Sequence, residues 1–259
     1  LHLDEVHSHA RSHLVYYPIS EEAMKLLREA RVLVLIDDEI STGNTLKNLA
    51  LAFREISTKV KRVILTSLTN WLPEALQDQL RKELPFEVKF ASILEGSFSY
   101  FPNQGQLEPP EFNSIGSFQA LDHILVNNYG RFALRQDEGA GLIKKAERMA
   151  NELDLAPNKK IRVIGTGEFL HEPFLLANFL EKKGNYVTFQ STTRTPIAQG
   201  QAIKNILRFK DNYFENLDNF LYNLDDNFDG ETIIVYETAT IPEDHDLPAR
   251  LGARIVYFS

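Results

Sequence analysis

The chain has 259 residues, 43% hydrophobic and 25% charged, with a net charge of −8 at neutral pH. That length and balance give room for one large core or two modest ones and exclude a disordered chain. Scattered lysines and arginines in an acidic chain argue against a broad nucleic-acid-binding face, and with no cysteine there is no disulfide framework and no thiolate metal site.

The amino terminus, LHLDEVHSHA, lacks the charged-then-apolar layout of a signal peptide, and no apolar run nears the roughly 18 residues that span a bilayer. A cytoplasmic location is the expectation. Asp4, Glu5, His7, His9 and His13 are metal-ligand types, but neither helical nor extended spacing brings all three histidines together. A solvated, interface or substrate-contacting cluster is therefore expected, and any metal ligands are left unknown.

Glu21 to Ala30 has amphipathic helical spacing, and Val32 to Ile36 is an unbroken β-prone run of buried-strand length. Thr45 to Ser57 is helical in pattern, Arg62 to Leu68 strand, Pro73 to Leu84 helix, and Phe86 to Ile93 strand. This alternation predicts a mainly parallel sheet covered by helices. From Leu94 to about Leu121 the pattern dissolves into LEGSFSYFPNQGQLEPPEFNSIGSFQA, read as part linker and part lid.

Beyond it, Gly141 to Leu153 reads as helix, Ile161 to Ile164 as strand, Pro173 to Lys183 as helix and Tyr186 to Gln190 as strand. Gln201 to Ile206 looks helical, and Thr232 to Tyr236 and Arg254 to Phe258 look like strands. A second α/β unit is the expectation, with the first domain over 1–120 and the second over 121–259.

In an open parallel sheet, ligands bind beyond the carboxyl ends of the strands. Asp37 to Thr45 is predicted to lie there. The backbone N–H groups of Ser41, Thr42, Gly43, Asn44 and Thr45 open the next helix and form a phosphate cradle, while Asp37 and Asp38 suit neutral hydroxyls or a divalent cation. A phosphate beside a vicinal diol describes a ribose 5-phosphate. The plain alternative is a strand running into a capped helix.

The stretch VLVLIDDEISTGNTL resembles the phosphoribosyl diphosphate signature of type I phosphoribosyltransferases: a hydrophobic strand, two acids, a variable pair that begins at Glu39, then Thr/Ser-Thr-Gly-Gly-Thr. Asn44 stands where that family usually has glycine. The segments IRVIGTGEFLHEP, VTFQSTTRTPI and DNYFENLDNFLYN resemble the TRSP domain found behind an orotate-phosphoribosyltransferase-like domain in bacterial tellurite-resistance and stress-response gene clusters. The eponymous motif here is Thr193-Arg194-Thr195-Pro196. HSHARSHLVYYP is similar to the segment before the transferase signature.

The resemblance implies a Rossmann-like transferase sheet followed by a second α/β domain, and transfer of a phosphoribosyl group to a nucleobase-like acceptor on the way to a nucleoside-like metabolite. Asp37 and Asp38 would contact the ribose hydroxyls, and Ser41 to Thr45 would hold the 5-phosphate of phosphoribosyl diphosphate or ribose 5-phosphate. Mg2+ is the implied cofactor, and a homodimer is compatible with the resemblance. About thirty residues precede the signature, too few for the family's first core strands, so the chain is expected to be a fragment with little diphosphate release of its own. Rival readings are a nucleotide-sensing protein without turnover and a metal-dependent phosphohydrolase acting through the second domain.

In the second half, Gly165-Thr166-Gly167-Glu168, the stretch of Thr192, Thr193, Arg194 and Thr195, and Glu237-Thr238 each follow a predicted strand. Three such loops are expected on one sheet edge, with Arg194 as an anion fork. The plain alternative is a tight turn and a helix capped at Pro196. Asp211, Asn212 and Tyr213 are read either as lining the same cleft or as a polar turn between helices, and His171 either as an acid or base or as an unremarkable histidine near a helix start.

Overall fold

The computed structural model describes residues 2–4, 12–14, 18, 20–99, 101, 111–113, 136–200 and 202–258. Contacts divide the chain into two units, Leu1–Gln104 and Gly105–Ser259.

The first unit opens with a short antiparallel pair, β1 (His2–Asp4) and β2 (Ser12–Leu14), in which Leu3 faces His13. His7 and His9 lie outside the described residues. Helix α1 (Glu21–Glu29) starts at Ser20, whose hydroxyl accepts from the Ala23 N–H at 3.1 Å, with Glu21 and Glu22 complementing the helix dipole. Then β3 (Val32–Ile40), α2 (Asn44–Ile56), β4 (Arg62–Asn70), α3 (Glu74–Glu83) and β5 (Glu87–Glu95) alternate, and the strands form a parallel sheet in the order β3-β4-β5.

Period-two alternation sends Leu33, Leu35, Val63, Leu65 and Val88 to one face, where Leu46, Ala50 and Phe53 of α2 and Leu80 of α3 bury them. Each such side chain contributes about 1.5–3 kcal/mol by leaving water. The other face departs from expectation. Val32, Val34, Ile36, Leu68 and Ile93 are exposed, Ile36 at 77% and Ile93 at 84%. A parallel sheet covered by helices was the prediction, and α2 and α3 cover one side only. The strands are longer than expected because β-pairing continues past the apolar run: Asp37 pairs Ser67, and Glu39 pairs Thr69. Likewise Leu94 and Glu95 belong to β5 rather than to the loop, and the first turn of the loop is fixed by Trp71, which packs edge-on to Phe98 at 6.4 Å. Of that loop, residues 100, 102–110 and 114–121 lie outside the described residues.

The second unit builds a four-stranded parallel sheet in the order β11-β10-β6-β7, from β6 (Lys160–Gly165), β7 (Tyr186–Ser191), β10 (Glu231–Tyr236) and β11 (Arg254–Tyr257). Helices α4 (Gln136–Glu152) and α5 (His171–Lys182) bury Val163, Ile233 and Val235 on one face. On the other face Ile164, Ile234 and Tyr236 pack against an antiparallel hairpin of β8 (Ile206–Lys210) and β9 (Asp218–Tyr222), and against Leu247 of α6 (Leu247–Leu251).

This hairpin corrects two expectations. Residues 202–206 are not helical, Gln201 lying outside the described residues: Ile206 begins β8, whose ILRFK run alternates like a strand. Residues 211–213 turn between strands, not between helices. Residues 111–113 also join this unit, with the Asp218 N–H donating to the Asn113 carbonyl at 3.2 Å and Arg208 donating to the Glu111 carbonyl at 2.7 Å. Among the described residues no helix is long and apolar enough to cross a membrane.

Candidate functional site

In the first unit the carboxyl edge of β3 leads directly into α2. Asp37 and Asp38 occupy successive strand positions and so point to opposite faces, with Asp37 on the side of Leu33 and Leu35. Asp37 is half-buried and accepts the Asp38 N–H at 3.0 Å; Asp38 and Glu39 are exposed. Burial, and after it the neighbouring Asp38 and Glu39 carboxylates, raises the Asp37 carboxyl above the ordinary range.

The chain then turns at Gly43, whose φ of 73° is the left-handed conformation that glycine alone adopts cheaply. A Cβ there would also lie 2.8 Å from a Leu80 methyl. Asn44 opens the helix and is not among the residues with positive φ, so the glycine-to-asparagine departure from the transferase signature carries no backbone strain. No side chain caps α2, and the Asn44 N–H reaches only 3.4 Å from the Thr42 hydroxyl. The first-turn N–H groups of a thirteen-residue helix therefore face an exposed loop that also carries Ser41, Thr42 and Thr45.

On the neighbouring strand Ser67 and Asn70 are buried at the same edge. Asn70 accepts the Leu72 N–H at 3.0 Å while its amide nitrogen has no partner. Sequence reading missed both, because an isolated Ser or Asn at a strand end carries no periodic signal. We expect Gly43→Ala to destabilise the chain by roughly 1–2 kcal/mol from φ alone, with the Leu80 contact adding to it. Denaturant unfolding would check this, and a midpoint unchanged from wild type would contradict the left-handed turn.

In the second unit the three predicted loops do share one edge, since β6, β7 and β10 run parallel and side by side. The Gly167 N–H donates to the Thr192 hydroxyl at 2.8 Å, and the Ser191 hydroxyl donates to the Gly167 carbonyl at 3.0 Å. Gly167 has φ 59°, and a Cβ on Gly165 would lie 2.7 Å from the Phe169 carbonyl oxygen, so the Gly-x-Gly turn is required by geometry. The Tyr213 hydroxyl bonds the Glu237 carboxylate at 2.5 Å and lies 3.3 Å from the Thr166 carbonyl, which ties β6 to β10 through the hairpin loop. Thr166, Thr192, Glu237 and Thr238 are all buried, whereas Glu168 and His171 are exposed.

The plain alternative and one expectation change here. No helix starts at Pro196; Thr193 instead exchanges both backbone hydrogen bonds with Phe220 of β9, and the Tyr222 hydroxyl donates to the Thr195 carbonyl at 2.6 Å. Arg194 is also not an open anion fork. It donates to Glu215 at 2.7 Å, comes within 3.9 Å of Asp211 and lies 5.8 Å from the centre of the Tyr213 ring. Its charge is already committed to carboxylates.

Sequence reading missed Glu172. It is 3% exposed in the first turn of α5, with a carboxyl raised by burial and by the Glu237 charge. The Asp211 carboxyl is pushed up to about 6, by burial first and by the nearby Glu215 carboxylate second. Beneath the loop, the ring of buried His245 sits 2.6 Å from both the Lys210 carbonyl and the Tyr236 hydroxyl. A carbonyl can only accept, so Nδ1 carries the proton and Nε2 accepts from Tyr236.

A cavity of 340 Å3 opens at the opposite, amino-terminal edge, lined among others by Arg162, Asp225, Phe228 and Arg250. None of the predicted site residues lines it. Among the described residues no group of three or more His, Asp or Glu is placed to hold a metal ion.

Comparison with known families gives two matches. Residues 1–97 match the family described as phosphoribosyl transferase (PRTase_2), and residues 128–251 match the TRSP domain that lies C-terminal to it. No curated protein and no solved structure matches the chain. The acidic strand end running into the Gly43 turn falls inside the first match, and the shared edge around Thr192 and Arg194 falls inside the second. The chain therefore belongs to the family in which a phosphoribosyl transferase domain is followed by a TRSP domain.

Proposed function

We propose that the first domain binds phosphoribosyl diphosphate or ribose 5-phosphate at the β3–α2 loop. The protein would transfer the phosphoribosyl group to a nucleobase-like acceptor, on the way to a nucleoside-like metabolite. The observation that carries this reading is the uncapped start of α2 directly after an acidic strand end. The helix dipole at that start favours the 5-phosphate, while Asp37 and Asp38 accept hydrogen bonds from ribose hydroxyls.

Transfer requires a nitrogen nucleophile to attack C1 as the C1–O bond to diphosphate breaks, with positive charge building on the ring. Carboxylates held near the ring stabilise that charge, and the loop fixes the group that reacts. Asp37 and Glu39, at alternate positions on one face of β3, have the hard oxygen donors that Mg2+ takes one or two at a time alongside phosphate oxygens. Bound there, the ion would supply neutralising charge to the leaving diphosphate.

Titration calorimetry of wild type and Thr42→Ala with phosphoribosyl diphosphate tests the loop. We expect a several-fold loss in the variant, about 0.5–1.5 kcal/mol for one hydrogen bond. Equal affinity would remove Thr42 from the cradle.

A further inference from the structure

The second sheet reverses its winding between β6 and β10, the place where ligands settle in open α/β sheets. Polar side-chain atoms without partners gather around that crevice. The hydroxyls of Thr166 and Thr238, one carboxylate oxygen of Glu172 and the amide nitrogen of Asn212 make no hydrogen bond, and one Asp211 oxygen has only the Arg194 guanidinium at 3.9 Å. Five of these residues are at most 3% exposed. An unmet buried polar group costs on the order of 1–3 kcal/mol, so such a concentration is tolerated where a ligand meets it.

The composition of the set selects the ligand. Glu172, Asp211, Glu215 and Glu237 surround the crevice against Arg194, which Glu215 already holds, so a phosphate is repelled. An ammonium group has no acceptor to offer the amide of Asn212. A metal lacks a donor group among the described residues. Hydroxyl groups both donate and accept, and only a ligand bearing several of them meets acids, amide and threonines together.

We propose that the crevice between the carboxyl ends of β6 and β10, covered by the 211–217 loop, binds an uncharged, polyhydroxylated sugar group. Because the first domain belongs to a family that acts on ribosyl compounds, the ribosyl group of a neutral nucleoside is the first candidate. This choice of sugar rests on that reading, whereas the site itself does not. The crevice is closed in this conformation, so the sugar enters as the loop lifts and the Arg194–Glu215 pair at its rim parts. Phe214 and Asn216, at φ 62° and 57°, hold that loop in a strained form whose release favours opening.

The test uses the full chain carrying Asp38→Asn, which weakens the ribose contacts of the first-domain loop, and binding is assigned to the crevice by its response to substitutions there. D-ribose, adenosine, uridine, their 2′-deoxy counterparts and inorganic phosphate are titrated by calorimetry, and the titrations are repeated with Thr238→Val or Asp211→Asn added. We expect saturable binding of at least one neutral ribosyl compound, at least tenfold weaker binding of its 2′-deoxy form, and no phosphate binding that Thr238→Val or Asp211→Asn alters. Thr238→Val should lower affinity at least tenfold while thermal stability holds or rises, since it removes an unmet hydroxyl without changing shape. No binding of any ribosyl compound at millimolar concentration, phosphate binding of equal strength that these substitutions weaken, or ribosyl affinity indifferent to both substitutions would overturn the proposal. Phosphoribosyl diphosphate binding to the unsubstituted chain is scored separately, so failure of one site leaves the other readable.

Discussion

Replacing Asp38 with asparagine is expected to weaken binding of phosphoribosyl diphosphate by roughly 10- to 100-fold, the equivalent of about 1.5–3 kcal/mol for a hydrogen bond to a charged acceptor. The substitution keeps the shape of an exposed side chain on β3, so the sheet and its core are left intact. Only acceptor strength toward a ribose hydroxyl changes. The effect should exceed that of Thr42→Ala, because a neutral hydroxyl contributes less than a carboxylate. Calorimetric titration reads both, and an Asp38→Asn affinity equal to wild type would remove the acidic strand end from the site.

Replacing Asp211 with asparagine is expected to stabilise the chain at pH 7.5 by roughly 1–3 kcal/mol, the lower end allowing for solvent screening at the Arg194 rim. The sign follows from linkage. Burial raises this carboxyl from its ordinary 3.8 to about 6 in the folded state, so folded Asp211 holds a proton that the unfolded chain has lost. The penalty is absent below pH 3.8, grows as pH rises to 6 and is complete above it. Asparagine removes the penalty, so the difference between variant and wild type should be large at pH 7.5 and small near pH 4. His245 acts in the opposite direction. Burial lowers its pKa, so acid must charge it on unfolding and stability falls as pH drops below 6.5. Both chains carry His245, so comparing them cancels its contribution. An Asp211→Asn chain less stable than wild type at pH 7.5 would contradict a carboxyl desolvated against Glu215.

Such a gain also fits the sugar site. A residue that destabilises the empty fold yet aims an unmet oxygen at a crevice trades stability for binding.

Much of the first domain was legible because its elements are long and strongly periodic. Val32 to Ile36 is an unbroken aliphatic run, and Leu46, Ala50 and Phe53 repeat at helical spacing on α2. The end of β3 was not legible, since nothing apolar marks the continuation of pairing through Asp37 and Glu39. In the second domain, the parallel strands declared themselves by runs such as TIIVY and VTFQ. The β8–β9 hairpin did not, because its seven-residue turn DNYFENL reads equally as a break between helices. That turn carries Asp211, Asn212 and Tyr213 onto the sheet edge, and Phe214 and Asn216 need left-handed backbone that their residue types announce weakly. The role of Arg194 failed for a related reason. The motif shows a guanidinium among hydroxyls, whereas its partner Glu215 comes from a strand connection 21 residues on. Glu172 was hidden inside an otherwise apolar helix start.

Amide hydrogen exchange across Ser41 to Thr45, with and without phosphoribosyl diphosphate, tests the central claim most directly. The phosphate is expected to bond the N–H groups at the uncapped start of α2, so exchange at these amides should slow on addition of the ligand while the amides of the second domain are unchanged. Unaltered exchange at Ser41 to Thr45 under saturating ligand, or protection confined to the second domain, would contradict it.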